Sequence, residues 1–315
     1  MDFCIGAAAA MAATLLTNPF DVLKTRTHLQ GELKTRGNYV AHYKGPFQSI
    51  AIIIKKEGIL ALQKGLLPSV LNQGVRNGIK LGFYGWLSNS GYLCDAGNRT
   101  IFYNSLVASA FGGGVGAFLG TPLYTLTTQF QAKASPEIAV GYQHEHTSLV
   151  QALKTTYNAS GVRGLWKGTN ANVVRSVVGA AAQLTTFTQT KEVLREYEVF
   201  RYSRVLTAFI AGTFGGICQS LLQTPFDLVC VRVNNQYVDP TGRGALYQGM
   251  IDCFYKIVKY EGVLGLYKGF LITHIKNGRH TTLYLMFWEL LKAHQYDVRP
   301  IKDPTRSCYY DSKDI

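Results

Sequence analysis

Six stretches of apolar and small residues, with few charges in each, run near residues 3 to 28, 67 to 89, 101 to 131, 169 to 193, 204 to 235 and 270 to 292. At a rise of about 1.5 Å per residue, each predicts a helix long enough to cross the roughly 30 Å of a bilayer's hydrocarbon. Within each successive pair lies a polar loop and a shorter segment, "FQSIAIIIKKEG", "LVQALKTTYNASG" or "MIDCFYKIVKYEG". Apolar residues fall on one helical face of these segments, which predicts short amphipathic loop helices. The expected fold is an all-α membrane protein with six transmembrane helices.

The six spans are three copies of one unit. The phrases "NPFDVLKTR", "TPLYTLTTQ" and "TPFDLVCVR" place Pro19, Pro122 and Pro225 at intervals of 103 residues. A second phrase follows each, "EGILALQKG", "SGVRGLWKG" and "EGVLGLYKG", ending at Gly65, Gly168 and Gly269. Gly6, Ser109 and Gly212 keep the 103-residue phase, and each is followed four positions later by Ala10, Gly113 or Gly216. That small-xxx-small pattern lets membrane helices approach closely. The units divide at 1–98, 99–199 and 200–315, the last with a short polar C-terminal tail. A soluble helical solenoid is the competing architecture, but its repeats typically span about 20–50 residues and do not carry two membrane-length stretches each. Proline inside a helix removes a backbone donor and clashes with the preceding turn, so Pro19, Pro122 and Pro225 predict three kinked helices.

Composition narrows the function. Hydrophobic residues make up 47% of the 315 and charged ones only 16%, yet the formal net charge is +13. The bases sit in short clusters beside apolar stretches and no nucleic-acid fold motif is present, so no nucleic-acid partner is expected. Cys4, Cys94, Cys218, Cys230, Cys253 and Cys308 form neither a CxxC pair nor a zinc-type cluster, so neither a metal nor a disulfide framework is expected, and a reducing setting is. The first twenty residues resemble neither a secretory signal nor a transit peptide, so any organellar address is expected to be internal. "GGGVG" at 112 to 116 lies inside an apolar helix rather than after a strand and reads as packing. No histidine has a nucleophile or carboxylate partner at a repeat-consistent position. The chain is therefore expected not to be an enzyme and to need no cofactor.

Charges at mid-membrane depth are costly and are functional candidates by default. Seven residues beyond the three KG glycines stand Asn72, Arg175 and Lys276. Asn72, Arg76 and Lys80 share one helical face, as do Lys276, Arg279 and His280 on the last helix. Gln183 and Tyr284 occupy the level of Lys80 in the other two repeats. Such a set of bases, with no membrane-buried acid beside them, predicts an anion, since guanidinium matches a carboxylate bidentately and lysine adds a point charge. For Arg76 a lipid-facing or helix-packing role stays open.

A threefold P-x-[DE]-x-x-[KR]-x-[KR] followed by [DE]-G-x4-[aromatic]-[KR]-G resembles the signature of the mitochondrial carrier family, across nearly the whole chain. The phrases "NPFDVLKTRTHLQGEL", "TPLYTL", "EIAVGYQHEH" and "TPFDLVCVR" are most similar to the oxaloacetate-carrier branch, which includes members 34 and 35 of solute carrier family 25. The resemblance implies a pseudo-threefold bundle in the mitochondrial inner membrane, a multi-pass monomer that binds membrane lipid such as cardiolipin. It implies alternating access of a small anionic solute between two gates. It makes Asn72, Arg175 and Lys276 the contact positions of a site completed by Arg76, Lys80, Ser176, Gln183 and Arg279. Arg175 followed by Ser176 resembles the pattern of keto acid and dicarboxylate carriers.

Carried over onto this chain, the matrix gate would set Asp21 against Thr127, Tyr124 against Cys230 and Asp227 against Lys24. One ionic pair is then expected, and a gate that opens easily. An i,i+3 pairing of Asp21 with Lys24 is the local alternative. The cytoplasmic gate would be formed by Tyr84, Ser88, Phe187, Lys191, Trp288, Glu289 and Lys292, with no ionic pair between helices and hence a weak barrier. The function implied is exchange of oxaloacetate-like keto acids, dicarboxylates and inorganic anions such as sulfate. A non-transporting scaffold or receptor, and an uncoupling-type proton leak, are the alternatives.

Overall fold

The computed structural model describes residues 2–35, 38–93, 101–195, 204–239 and 244–298. Among the described residues, a long, a short and a long α-helix follow one another three times along the chain. These are α1 (Asp2–Leu29), α2 (Pro46–Glu57), α3 (Leu66–Asn89), α4 (Phe102–Ala132), α5 (Leu149–Leu165), α6 (Thr169–Arg195), α7 (Arg204–Asn235), α8 (Met250–Glu261) and α9 (Phe270–Val298). Each predicted span is a helix, within a few residues of its expected ends. The long helices close a ring: α3 packs on α1 and α4, α6 on α4 and α7, and α9 on α7 and α1.

The bundle is inverted relative to a water-soluble protein. Leu15, Leu16, Phe111, Phe118, Leu119, Phe214 and Leu222 point outward, whereas Thr14, Asn18, Lys24, Arg26, Asn72 and Arg175 are buried. Apolar side chains facing outward suit a hydrocarbon solvent, in which backbone groups are satisfied within the helices. Only α1 and α4 are, among the described residues, both long and apolar enough to read as spans by mean hydropathy. The inward polar faces of the other long helices lower their averages.

Close approach is carried by glycine. Gly112, Gly116 and Gly120, one turn apart on α4, meet the backbone of Lys80, the backbone of Arg76 and the side chain of Asn72 on α3. A β-carbon at Gly116 would lie 2.8 Å from the Arg76 carbonyl. The neighbouring Gly113, of the repeated small-residue pattern, faces α6 instead and accepts a 3.0 Å hydrogen bond from the Ser176 hydroxyl.

Pro19, Pro122 and Pro225 all lie inside their helices. A proline leaves the carbonyl four residues earlier without its helical donor. For Pro19 that carbonyl is Leu15, which accepts from Gln63 Nε2 at 3.3 Å. For Pro122 it is Phe118, which accepts from Trp166 Nε1 at 3.1 Å. Gln63 and Trp166 both precede the Lys-Gly of the second motif, where Tyr267 stands in the third repeat. The two sequence motifs therefore meet at one point, the second supplying the donor that the first removes.

On the side of the loop helices, Arg26 clamps Glu57 through Nη1 and Nη2 at 2.7 and 3.0 Å, and Lys64 adds a 2.5 Å contact. Arg232, Glu261 and Lys268 repeat the arrangement in the third unit. Burial pushes the Glu57 and Glu261 carboxyls up, but the bonds from arginine and lysine outweigh it, and both are held below the usual carboxylate range. In the second unit the equivalent positions are Gln129, Ser160 and Lys167, without the acid.

Two outcomes follow. Trp166→Phe keeps an aromatic ring but leaves the Phe118 carbonyl without its donor, and should destabilise the purified protein by about 1–3 kcal/mol, read from thermal unfolding in detergent. Because the folded-state pKa values of Glu57 and Glu261 are lowered, their stabilisation is present above the unfolded value near 4.5 and is lost as pH falls through the lowered values. Thermal stability should therefore decline with acidification below about pH 4.5. Glu57→Gln with Glu261→Gln should be less stable at pH 7 and show a shallower acid decline.

Candidate functional site

Three ion pairs come together at the loop-helix end of the bore, within or next to the proline motifs. Lys24 Nζ of α1 lies 3.2 Å from Asp227 Oδ2 of α7, as the ring pairing predicts. The other carboxylate oxygen of Asp227 is held by Arg175 Nη1 of α6 at 3.1 Å, while Arg175 Nη2 donates to Asn172 Oδ1 at 2.9 Å. Asp21 does not stand opposite a neutral partner: its Oδ1 takes Lys276 Nζ of α9 at 3.1 Å. Thr127 turns its hydroxyl to its own helix, donating to the Leu123 carbonyl at 2.7 Å.

The expectation of a single ionic pair at this gate is thus corrected. Bases assigned to solute contact reach down to the gate acids, which helix-by-helix pairing of the proline motif could not reveal, since Arg175 and Lys276 belong to the even-numbered spans of the bundle. Tyr124 lies against Cys230, as predicted, and also beneath the Arg175 guanidinium, whose centre sits 4.9 Å from the ring centroid. Cys230 is fully buried, its sulfur 3.5 Å from Asn234 Nδ2. Thr25 and Asn18 of α1 reach Gln131 of α4 at 2.9 and 3.2 Å, extending the closed side with neutral contacts.

Above this network the bore opens into two small cavities. The lower one, about 40 Å³, is lined by Asp21, Lys24, Asn72, Tyr124, Arg175 and Lys276 among others. The upper one, about 120 Å³, is lined by Arg76, Lys80, Ser176 and Gln183, all expected at the solute site. Arg76 belongs to both, and its Nη2 lies 3.4 Å from the Ser176 hydroxyl, so it faces the bore and not lipid. Arg279 joins neither cavity: it is exposed, with its guanidinium 4.5 Å from the centroid of the Phe20 ring.

Sequence reading missed an amide wall. Gln73, Asn77, Gln219 and Gln223 line the upper cavity, and Gln73 also reaches His280, nitrogen to nitrogen at 3.2 Å. Amides a turn apart inside apolar helices were the available signal, because neutral polar groups in a span also need partners. Two buried atoms here lack a hydrogen-bond partner among the described residues, Asn72 Oδ1 and Arg175 Nε. The latter is a buried donor at the edge of the lower cavity.

Among the described residues around these two cavities, Lys24, Arg76, Lys80, Arg175 and Lys276 face Asp21 and Asp227, five bases against two acids. The opposite gate is described only at Tyr84, whose hydroxyl lies 3.5 Å from Ser105 Oγ. The side chains of Ser88, Phe187, Lys191, Trp288, Glu289 and Lys292 lie outside the described residues.

Comparison with known proteins agrees with this geometry. The sequence model of the family described as "Mitochondrial carrier protein" matches residues 1–91, 98–198 and 202–298. Human solute carrier family 25 member 35 is 40% identical over 94% of this chain and 99% of its own. The mitochondrial oxaloacetate transport protein of Saccharomyces cerevisiae is 34% identical over 91% of this chain and 87% of its own. Mitochondrial citrate transporter E of Aspergillus niger is 31% identical over 91% of each.

Asp227→Asn should leave Lys24 and Arg175 buried without their shared counter-charge. A loss of about 3–5 kcal/mol is expected for breaking a buried pair, measured as a lowered unfolding temperature of the purified protein. Lys24→Gln, which leaves Asp227 paired with Arg175, should be milder.

Proposed function

Since the chain belongs to the mitochondrial carrier family, whose proteins are transporters of the mitochondrial inner membrane, we propose that it carries small dicarboxylates or keto acids across that membrane by exchange. The observation that carries this reading is the excess of bases around the bore. An unpaired cation in a low-dielectric wall is costly, and a dianion entering the cavity relieves that cost. The yeast relative's name specifies oxaloacetate, a keto dicarboxylate, and the Aspergillus relative's name citrate, a tricarboxylate, so both point to small carboxylate anions and the first to the proposed class.

The route follows from which bases are engaged. Arg76 and Lys80, in the upper cavity, meet the anion first, with the amides of Gln73, Gln183 and Gln223 able to donate to carbonyl or hydroxyl oxygens. Arg175 and Lys276 lie deeper and are held by Asp227 and Asp21. A carboxylate that reaches them competes with those aspartates. Each base drawn to the solute is withdrawn from the closed gate, so binding lowers the stability of the matrix-closed state relative to the open one. Only such a differential interaction can shift the equilibrium between states. Kinked helices meeting at the gate then part, and the solute leaves on the other side.

Uptake into liposomes by the purified protein tests this against labelled oxaloacetate, malate, malonate, sulfate, phosphate, aspartate and ADP. Dicarboxylates or keto acids should be taken up fastest and ADP not at all. Arg175→Ala should abolish uptake in protein that still inserts. Transport of ADP or of a cationic amino acid faster than any dicarboxylate would defeat the proposal.

A further inference from the structure

A cavity larger than either of those in the bore lies outside it. About 530 Å³ in volume, it sits at the loop-helix end of the second repeat, between α4, α5 and the end of α7. Its origin is the missing charge cluster. Where the first and third repeats fill this corner with Arg26–Glu57–Lys64 and Arg232–Glu261–Lys268, the second has Gln129, Ser160 and Lys167. The shorter side chains of Gln129 and Ser160 leave space, and Lys167 has Asp239 as its acidic neighbour in place of a glutamate on its own loop helix.

The walls are chemically divided. On one side the rings of Tyr142, His144, His146 and Tyr237 form a chain, with centroids 4.7 Å apart for Tyr142 and His144, 5.4 Å for the stacked histidines and 5.2 Å for the two tyrosines. Tyr142 and Tyr237 remain 42% and 43% exposed, so ring surface is left uncovered. His144 Nε2 donates to the Asn235 carbonyl at 2.9 Å and His146 Nε2 to Gln129 Oε1 at 3.1 Å. Burial holds His144 at about 4 and lowers His146, so both rings are neutral near pH 7. Positive charge comes from the other side, where Arg163 and Lys167 project from α5 and its following turn. Arg163 is exposed and has no acidic partner among the described residues.

We infer that this cavity is a second ligand site, separate from the bore, for a nucleoside phosphate. The ring stacks on the tyrosine surface, as planar bases do on aromatic side chains, while Arg163 and Lys167 take the phosphates. The volume is within the usual range of about 300–1,000 Å³ for small-molecule sites. Such a ligand bridges helices from two repeats and holds them together. Slower solute exchange at saturating nucleotide is a consequence that rests on the transport reading; binding itself does not.

The test is equilibrium binding of radiolabelled ATP to the purified carrier in nanodiscs, with and without cardiolipin. Saturable binding is expected, displaced by unlabelled ADP and much less by inorganic phosphate. Arg163→Ala, at an exposed position that should not disturb folding, should weaken it at least about tenfold. Gln129→Arg with Ser160→Glu, which rebuilds the charge cluster of the other repeats, should abolish it. Arg175→Ala, which disables the bore, should leave it unchanged. Absence of ATP binding at millimolar concentration, indifference to Arg163→Ala, or loss with Arg175→Ala would overturn the inference. So would displacement by cardiolipin, which would make this a lipid headgroup site.

Discussion

One carboxylate, that of Asp227, is the contact on which the closed side of this bundle depends. It is fully buried and gives one oxygen to Lys24 and the other to Arg175, so three helices from three different repeats converge on it. Taking an acid out of water is unfavourable unless its partners are close and well aligned. Here both members of the pair between Lys24 and Asp227 come from the proline motifs, Lys24 five residues beyond Pro19 on α1 and Asp227 two beyond Pro225 on α7. The remaining pair, Lys276 with Asp21, is a second tie between the last repeat and the first, while the first and second repeats meet at this level through Thr25, Asn18 and Gln131. Arg175 and Lys276 thereby serve two sites, the solute cavity above and the gate below, and that sharing joins recognition to opening.

Much of this was legible before any coordinates. A period of 103 residues between prolines, and glycines in matching phase, dictate three units with two spans each, because no single unit can bury its own polar face. The positions seven beyond each KG glycine fall on the bore for the same reason. What stayed hidden depended on side-chain reach. Nothing in the spacing of Asp21 says that Lys276, 255 positions later, will extend to it. Arg279 shares a helical face with Lys276 on paper, yet one further turn of the wheel sets it over Phe20. The amides at 219 and 223 sit just before a proline motif and were overshadowed by it.

The second repeat departs from its neighbours at every level. Its proline motif carries Tyr124 where the others have aspartate, its loop helix carries Ser160 where they have glutamate, and Gln129 replaces an arginine. At the gate the departure is compensated, since the Tyr124 ring receives the Arg175 guanidinium. At the loop-helix end it is not, and an open cavity results. Threefold symmetry is thus kept in the backbone and given up in the side chains.

The donors that cap the carbonyls freed by Pro19 and Pro122 come from the same repeat as the proline, and so do the glutamates that hold Arg26 and Arg232. The gate contacts, by contrast, all run from one repeat to another. Bonds inside a unit stiffen it, and bonds between units form seams. Rocking one unit against the next must break these ion pairs and amide contacts at the seams, and must also slide the packed faces of α3 on α4, α6 on α7 and α9 on α1.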